Sequence, residues 1–454
     1  MRVRFDRTIT TLLLGFAALA SAGTSSRDAA AAAPFTRGPF LQSLDQTGVT
    51  VKVELLAPDT VSVEVTGPDG VAKKASLDEA RRFQSVRVDG LSPGTSYRYR
   101  VLAGAAGVAS DEGRFTTAPA DARPFKFLLY GDSRSDPATH AAVVRALLAT
   151  PSDFLLHTGD MVAVGDEEDD WKSFFDVENP LLRDRCVFAS IGNHELLGEK
   201  GAGAAAFLRY FANPQEAGKD SPKLYGSMRW GNTRFFLLNA MDDWSGEARA
   251  WLKDELDRAA NEPGLVHRFA VLHHGPHSSG PHGGNERLHK NGVLQIFKDG
   301  KVDLILAGHD HAYERGTGDG LKYVVSGGAG APLYPRKSKD GATAVFESVH
   351  HFVEVSVDGD KVNLVTKRAS GSILEKCGFV GAGPWDCDKS PAGDAPKTSA
   401  APAAIPLQKS SACGCSTPGG GGAGWIPVAA ASLGLGLARR RARRPRSQRG
   451  VRCP

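Results

Sequence analysis

The chain has 454 residues, of which 41% are hydrophobic and 23% charged, a length and composition suited to two or three globular domains. Its formal net charge of +4 belongs to its ends: eight Arg and no acid lie between positions 439 and 452, and the first seven residues hold three Arg and one Asp. The body between them is mildly acidic, which argues against a nucleic-acid-binding surface.

Arg2, Arg4 and Arg7 precede an apolar run from Thr11 to Ala18, and Ala20-Ser21-Ala22 fits the small-x-small cleavage rule. Residues 1–22 therefore read as a signal peptide, and export permits disulfides. Cys377 and Cys387 flank a short loop and are the expected pair, whereas Cys186, just before a strand, reads as a small core residue. Residues 23–36 are Ala- and Ser-rich and read as a disordered linker. From 37 to 118 the pattern is all-β. Val49, Val51, Val53 and Leu55 alternate with polar or small residues, as do Val61, Val63 and Val65, and Gly67-Pro68-Asp69-Gly70 and Ser92-Pro93-Gly94 punctuate them as turns. Short strands over this length predict a small β-sandwich. The stretch Leu91 to Tyr97, followed by Tyr99, resembles the turn-and-strand signature of fibronectin type III domains. No catalytic constellation lies here, and a packing or spacer role is expected.

After a linker at Ala118–Pro124 the texture changes. Apolar strands at Phe125–Tyr130, Phe154–His157, Val187–Ser190, Phe235–Leu238, Phe269–Leu272 and Leu304–Ala307 alternate with helical stretches near Ala141–Leu148, Trp171–Phe175, Gly246–Leu256 and Leu288–Phe297. Alternation of this kind predicts layered α/β. Strand-like runs follow at Tyr323–Ser326, Phe352–Val357 and Lys361–Val365, and the domain is expected to span 124–370. Residues 371–412 are expected to form a stalk, Pro/Ala/Ser-rich from about Pro391. Cys413-Gly414-Cys415, the apolar run Trp425 to Ala438 and the Arg cluster from Arg439 follow in that order. They resemble MYXO-CTERM sorting signals. This implies contact with a membrane or sorting machinery and retention at the cell surface or outer membrane, with release as the other outcome; a plain tail anchor is the alternative.

Five short motifs carry the chemistry, four of them directly after a predicted strand: Gly131-Asp132-Ser133-Arg134, Gly159-Asp160, Gly192-Asn193-His194-Glu195, His273-His274 and Gly308-His309-Asp310-His311. Strand ends are where open α/β sheets bind ligands. A carboxylate, amide and imidazole mixture suits Zn, Fe or Mn, and the absence of Cys argues against a structural thiolate site. Six candidate ligands exceed the needs of one ion and fit two ions bridged by one carboxylate. A glycine precedes the ligand in four motifs and frees the backbone to turn sharply and approach the ion.

The motif order resembles that of the calcineurin-like metallophosphoesterases. Within that superfamily, Gly308-His309-Asp310-His311-Ala312-Tyr313-Glu314-Arg315 is similar to the signature of purple acid phosphatases, and Tyr323 to Gly330 followed by Leu333-Tyr334 looks like the strand that succeeds it in bacterial relatives. The resemblance implies a two-sheet αββα sandwich preceded by the small β-sandwich. It implies that Asp132, Asp160 and His311 hold one metal ion and that Asp160, Asn193, His273 and His309 hold a second. His194 would contact phosphate and assist the leaving group. His273 and His274 compete for one ligand role; the strand ending at His273 favours it and leaves His274 to the substrate or to packing. Two departures stand out. Ala163 occupies the position of a tyrosine ligand, so the tyrosinate colour should be absent. Arg134 replaces a histidine found in other members, and its fork could clamp a phosphate oxygen. The implied activity is hydrolysis of phosphate esters, monoesters first, by hydroxide on two Fe, Zn or Mn ions, without nucleic acid as a specific partner. Phosphodiester or nucleotide hydrolysis is the alternative, and a non-catalytic surface binding protein a third reading.

Overall fold

The computed structural model describes residues 34–212 and 223–388; the expected signal peptide and sorting segment lie outside the described residues. Residues 35–116 build a six-stranded all-β sheet. Its spine is a hairpin of two long strands, Gly48–Thr66 and Ala72–Asp89. The inward valines predicted there are buried, Val49 to Val65 alike. The ladder slips register between Glu54 and Val61. Phe35–Gln42 pairs with the first half of the spine and Ser96–Ala103 with the second.

Buried Arg37 anchors this unit to the rest of the chain. Arg37 bonds Glu54 within the unit, and Glu168 and the Tyr210 hydroxyl (2.7 Å) beyond it. Phe40 packs its ring on Phe175 with 5.0 Å between centroids, and the Tyr99 hydroxyl donates to the Arg183 carbonyl at 2.8 Å. Lys52 lies at the same junction: its Nζ donates to the Arg209 carbonyl at 2.7 Å, and burial pulls its pKa from 10.5 down to about 7. The fold therefore disfavours the charged amine. That penalty is complete below the folded pKa and fades as pH rises towards the unfolded value, where the unfolded chain also sheds its proton. Lys52→Met is expected to raise the thermal midpoint by several degrees near pH 6 and far less near pH 10. Scanning calorimetry at both pH values checks this; an equal shift at both contradicts it.

The second part is two seven-stranded sheets stacked face to face. One runs Asp386–Cys387, Ile373–Val380, Lys361–Arg368, His351–Asp358, Phe125–Tyr130, Phe154–His157, Val187–Ala189 across its width. The other runs Gly226–Trp230, Thr233–Leu238, His267–Leu272, Leu304–Ala307, Leu321–Ser326, Tyr313–Gly318, Thr343–Glu347. Strand alternation splits each sheet between two cores. Phe127, Leu129, Phe154 and Leu156 meet Phe235, Leu237, Phe269 and Val271 between the sheets. Leu128, Tyr130 and Leu155 face outward to Val143, Trp171 and Phe175 on helices Pro137–Leu148 and Glu168–Leu182. Phe236, Leu238 and Leu272 meet Leu252, Leu256 and Phe297 on helices Glu247–Ala260 and Val293–Asp299. The architecture is the two-sheet αββα sandwich expected from the motifs.

Three details differ from expectation. The sheet continues past residue 370, where the domain was expected to give way to a stalk: Ile373–Val380 pairs with Lys361–Arg368, and Cys377 is disulfide-bonded to Cys387. The helix predicted over 288–297 breaks into Glu286–Lys290 and Val293–Asp299 because Gly292 between them adopts φ +68°. The segment Tyr313-Glu314-Arg315 is itself a strand, antiparallel to Leu321–Ser326.

Candidate metal centre

The parallel strands Phe125–Tyr130, Phe154–His157, His267–Leu272 and Leu304–Ala307 all end at one edge of the sandwich, and each hands its next residues to the same site. Asp132, Asp160 and His311 converge there, with their ligand atoms within 4.8 Å of one another and all three residues buried. Asp132 and Asp160 both take φ +57°, and His309 takes +74°. Among the motif glycines only Gly159 turns the chain in this way, at φ +103°; elsewhere the turn is made by Asp132, Asp160 and His309 themselves, a conformation costly for any residue with a Cβ and concentrated at functional sites. The glycines give close approach instead. A Cβ on Gly192 would lie 2.2 Å from Asp160 Oδ1, and one on Gly308 2.5 Å from Asp132 Oδ2.

The donor set fits cations. His273 Nδ1–H donates to the Thr158 carbonyl at 2.9 Å, which leaves the Nε2 lone pair facing Asn193 Oδ1 and His309 Nδ1, each at 3.1 Å, and Asp160 Oδ1 at 3.3 Å. His311 Nδ1–H donates to the Pro332 carbonyl at 2.7 Å, and its Nε2 lies 3.6 Å from Asp132 Oδ1. In each case a backbone carbonyl fixes the tautomer that presents a lone pair to a metal. Burial, joined by the crowding of His273, His274, His282 and His311, pulls His309 far below the usual imidazole range. Burial, with Arg134 nearby, lowers His311 to about 4. Both imidazoles are neutral at physiological pH, as metal binding requires. Burial pushes Asp132 well above the usual carboxylate range, and the adjacent Asp160 charge adds to it. Burial opposes ionisation of Asp160 too, but His273, His194 and Arg134 outweigh it and keep its carboxyl below the usual value. Two buried carboxylates with lone-pair imidazoles around them are stable as a set only with positive charge between them.

The remaining predicted residues fall around this core. The His194 backbone N–H donates to Asp160 Oδ1 at 3.0 Å. Its Nδ1–H donates to the carbonyl of Ala163 at 2.6 Å, which leaves Nε2 facing Asp160 Oδ2 at 3.8 Å. Arg134 places Nε 3.2 Å from Asp160 Oδ2 and a terminal nitrogen 3.4 Å from His311 Nε2. His274 does not face the site through Nε2: that atom bonds the Gly283 carbonyl at 2.9 Å, and the ring packs on His309 at 4.2 Å between centroids. His274 is therefore engaged in packing, and His273 is the one of the pair whose Nε2 faces the Asp160 cluster.

The sequence patterns assign no role to Glu195, Asp310, Tyr334 or Glu375, which support this core. Glu195 gathers four backbone N–H groups, those of Gly192 (2.7 Å) and Asp160 (2.9 Å) on Oε2 and of Met161 (2.7 Å) and Val162 (3.3 Å) on Oε1, tying the Asp160 loop to the Asn193 loop. Its place after Asn193-His194, three residues from Gly192, was the available signal. Asp310, between the two histidines of its motif, accepts from Ser278 Oγ and stands 2.8 Å from His282 Nδ1, which ties down the loop that follows His274. The ring of Tyr334 stacks on His311, 4.0 Å between centroids. Glu375 accepts from the Tyr313 hydroxyl at 2.6 Å and from Arg315 through both oxygens at 2.7 and 3.0 Å. The tyrosine and arginine of the Tyr-Glu-Arg extension are thus bound to the late strand. Glu314 holds the Tyr323 hydroxyl at 2.8 Å and the Ser279 N–H at 2.8 Å. His157 links the two aspartate loops, accepting from Gly159 N–H at 3.1 Å while its other nitrogen meets Ser133 Oγ at 3.1 Å.

Comparison with known proteins agrees with this geometry. Residues 125–313 match the calcineurin-like phosphoesterase family, and residues 32–120 match a domain of unknown function. Purple acid phosphatase 23 of Arabidopsis thaliana is 27% identical over 265 residues, covering 51% of this chain and 57% of its own length. An uncharacterized protein of Mycobacterium tuberculosis is 26% identical over 287 residues, 54% of each chain. The chain spans about half the length of these curated relatives. Among solved structures, the yellow lupin purple acid phosphatase PPD1 superposes with a TM-score of 0.64 at 16% identity, over 75% of this chain and 74% of that one. PhoD superposes with 0.61 at 12% identity, over 80% and 93%. Both likenesses are of fold. The residues that match the calcineurin-like phosphoesterase family, 125–313, are those that build most of the sandwich and the strand-end site.

Proposed function

We propose that the protein hydrolyses phosphate esters at a two-metal site in which Asp160 bridges, with phosphomonoesters as the first substrate class. The observation that carries this is the convergence of unshared lone pairs from His273, Asn193, His309 and Asp160 within 3.3 Å of one another's nearest partners. Bound divalent or trivalent ions of the Zn, Fe or Mn kind would acidify water and neutralise phosphate charge. The chain's own groups do the rest. Asp160 directs Oδ1 towards His273 and Oδ2 towards Arg134. Arg134 has the planar fork that matches two phosphate oxygens. His194, fixed at Nδ1 by Ala163, can carry a proton on Nε2 and give it to the departing oxygen. The monoester preference draws on the purple acid phosphatase relatives, since Tyr313 and Arg315 are engaged by Glu375. A panel of p-nitrophenyl phosphate against its bis-ester tests the assignment: monoester turnover that depends on added metal supports it, and turnover of the diester alone, or of neither, contradicts it.

His194→Ala is expected to lower kcat by about 10²–10⁴-fold for an alkyl phosphate, and less for p-nitrophenyl phosphate, whose leaving group needs no proton. Metal content should stay at the wild-type level. Equal losses on both substrates would show that His194 does not protonate the leaving group.

We also propose that the protein works outside the cytoplasm. The Cys377–Cys387 disulfide suits an oxidising compartment. Protease treatment of intact cells should remove or release the activity; activity protected in the cytosolic fraction contradicts export.

A further inference from the structure

A second cluster of ligating side chains sits apart from the Asp160 site. His277, His289 and Asp319 bring one ligand atom each within 4.8 Å of one another. His277 belongs to the loop after His273-His274, His289 to the short helix Glu286–Lys290, and Asp319 to the tip of the Tyr313–Gly318/Leu321–Ser326 hairpin. The hairpin tip is built to bring them together: Asp319 takes φ +53°, and a Cβ on Gly318 would fall 2.2 Å from His277 Nε2, so only glycine leaves room for the imidazole.

Tautomers make the cluster more than a set of ion pairs. His289 Nε2 lies 2.8 Å from the Pro276 carbonyl, which can only accept, so Nε2 carries the hydrogen and Nδ1 presents a lone pair. That lone pair faces Asp319 Oδ2 at 3.6 Å. His277 Nδ1 faces Asp340 Oδ2 at 3.4 Å, and its Nε2 faces Asp319 Oδ2 at 3.0 Å. With the hydrogen on Nδ1, Asp340 orients the ring and a second lone pair points at the same carboxylate oxygen. A carboxylate or carbonyl behind each imidazole is the usual support of a metal-ligating histidine. Tetrahedral zinc places its ligand atoms about 3.3 Å apart, and the observed 3.0 and 3.6 Å straddle that spacing.

We propose that His277, His289 and Asp319 bind one transition-metal ion of the zinc class, with Asp340 orienting His277 and a fourth, solvent-facing position open. His289 and Asp319 are partly exposed, with side-chain accessibilities of 38% and 41%, so the ion is reached from solvent. It pins the hairpin tip to the loop that also carries His282, whose ring lies 4.4 Å from that of His309. The ion thereby fixes a wall of the phosphoesterase cleft without being one of its reacting metals.

Zinc content per chain, measured after chelation, reloading with zinc alone and desalting, tests this in full-length protein. Asp160→Asn should retain one zinc, and Asp160→Asn combined with His289→Ala should retain none. In otherwise wild-type protein, His289→Ala and Asp319→Asn should each lose one zinc and leave the rest. Zinc should also raise the melting temperature of Asp160→Asn but not of the double variant, while both melt alike in chelator. Equal zinc in wild type and His289→Ala overturns the proposal and leaves His277 as a hydrogen-bonded link between Asp319 and Asp340.

Discussion

Asp160→Asn is expected to reduce phosphate-ester turnover by about 10³-fold or more and to remove metal from the site at the same time. The substitution is nearly isosteric, so the fold should survive it. What changes is charge and lone pairs. Asp160 Oδ1 takes the His194 backbone N–H at 3.0 Å and faces His273 Nε2 at 3.3 Å, and Oδ2 faces Arg134 at 3.2 Å. An amide can serve one of these sides as an acceptor but turns an N–H towards the other. Asp132 gains from the change, because the neighbouring carboxylate no longer adds to the burial that raises its pKa. The variant should therefore be folded and inactive. Elemental analysis and turnover on one preparation check both halves. A variant that keeps its metals and full activity would falsify the bridging role.

Glu195→Ala is expected to be the most damaging change among residues that touch no substrate. Its two oxygens accept four buried N–H groups from two loops. Truncation strands them, and each unsatisfied buried donor costs about 1–3 kcal/mol, so a loss of roughly 3 kcal/mol or more is expected even after some donors find water. The Asp160 loop, held at φ +57°, should relax, and metal affinity should fall by about 10–100-fold as for other supports behind a metal ligand. Glu195→Gln keeps the shape but only one accepting oxygen, hence two of the four N–H contacts at most, so it should fall between the wild type and Glu195→Ala. Chemical denaturation with and without metal separates the effects. Metal affinity unchanged in Glu195→Ala would show that Glu195 serves folding alone.

The parts of this account legible in the sequence share one property: they repeat a short-range pattern. Period-2 alternation at Val49–Leu55 and continuous apolar runs such as Phe125–Tyr130 marked strands because both faces of each inner strand are covered, between the sheets by Phe235 and Phe269 and outside by Val143 and Trp171. Strand-end motifs marked the site because the parallel strands end on one edge of the sandwich. What stayed hidden depends on distant partners. The strand Ile373–Val380 has little alternation of its own and is held by Lys361–Arg368, by the Cys377–Cys387 bond and by Glu375 on Arg315. Glu195 reads as a polar residue after a motif until four N–H groups are seen to point at it. His273 and His274 are adjacent and chemically identical; only the Thr158 and Gly283 carbonyls, one on each, decide which ring turns Nε2 to the Asp160 cluster. Ala163, absent a ligating side chain, contributes through its carbonyl to His194, a role no side-chain pattern encodes.

The most direct test of the central claim is anomalous diffraction from crystals of the full-length protein loaded with zinc or manganese. Two peaks about 3.5–4 Å apart should straddle Asp160, one beside Asp132 and His311 and the other beside Asn193, His273 and His309. A single peak, or peaks that leave Asp160 outside the coordination of either ion, would contradict the two-metal reading of this site.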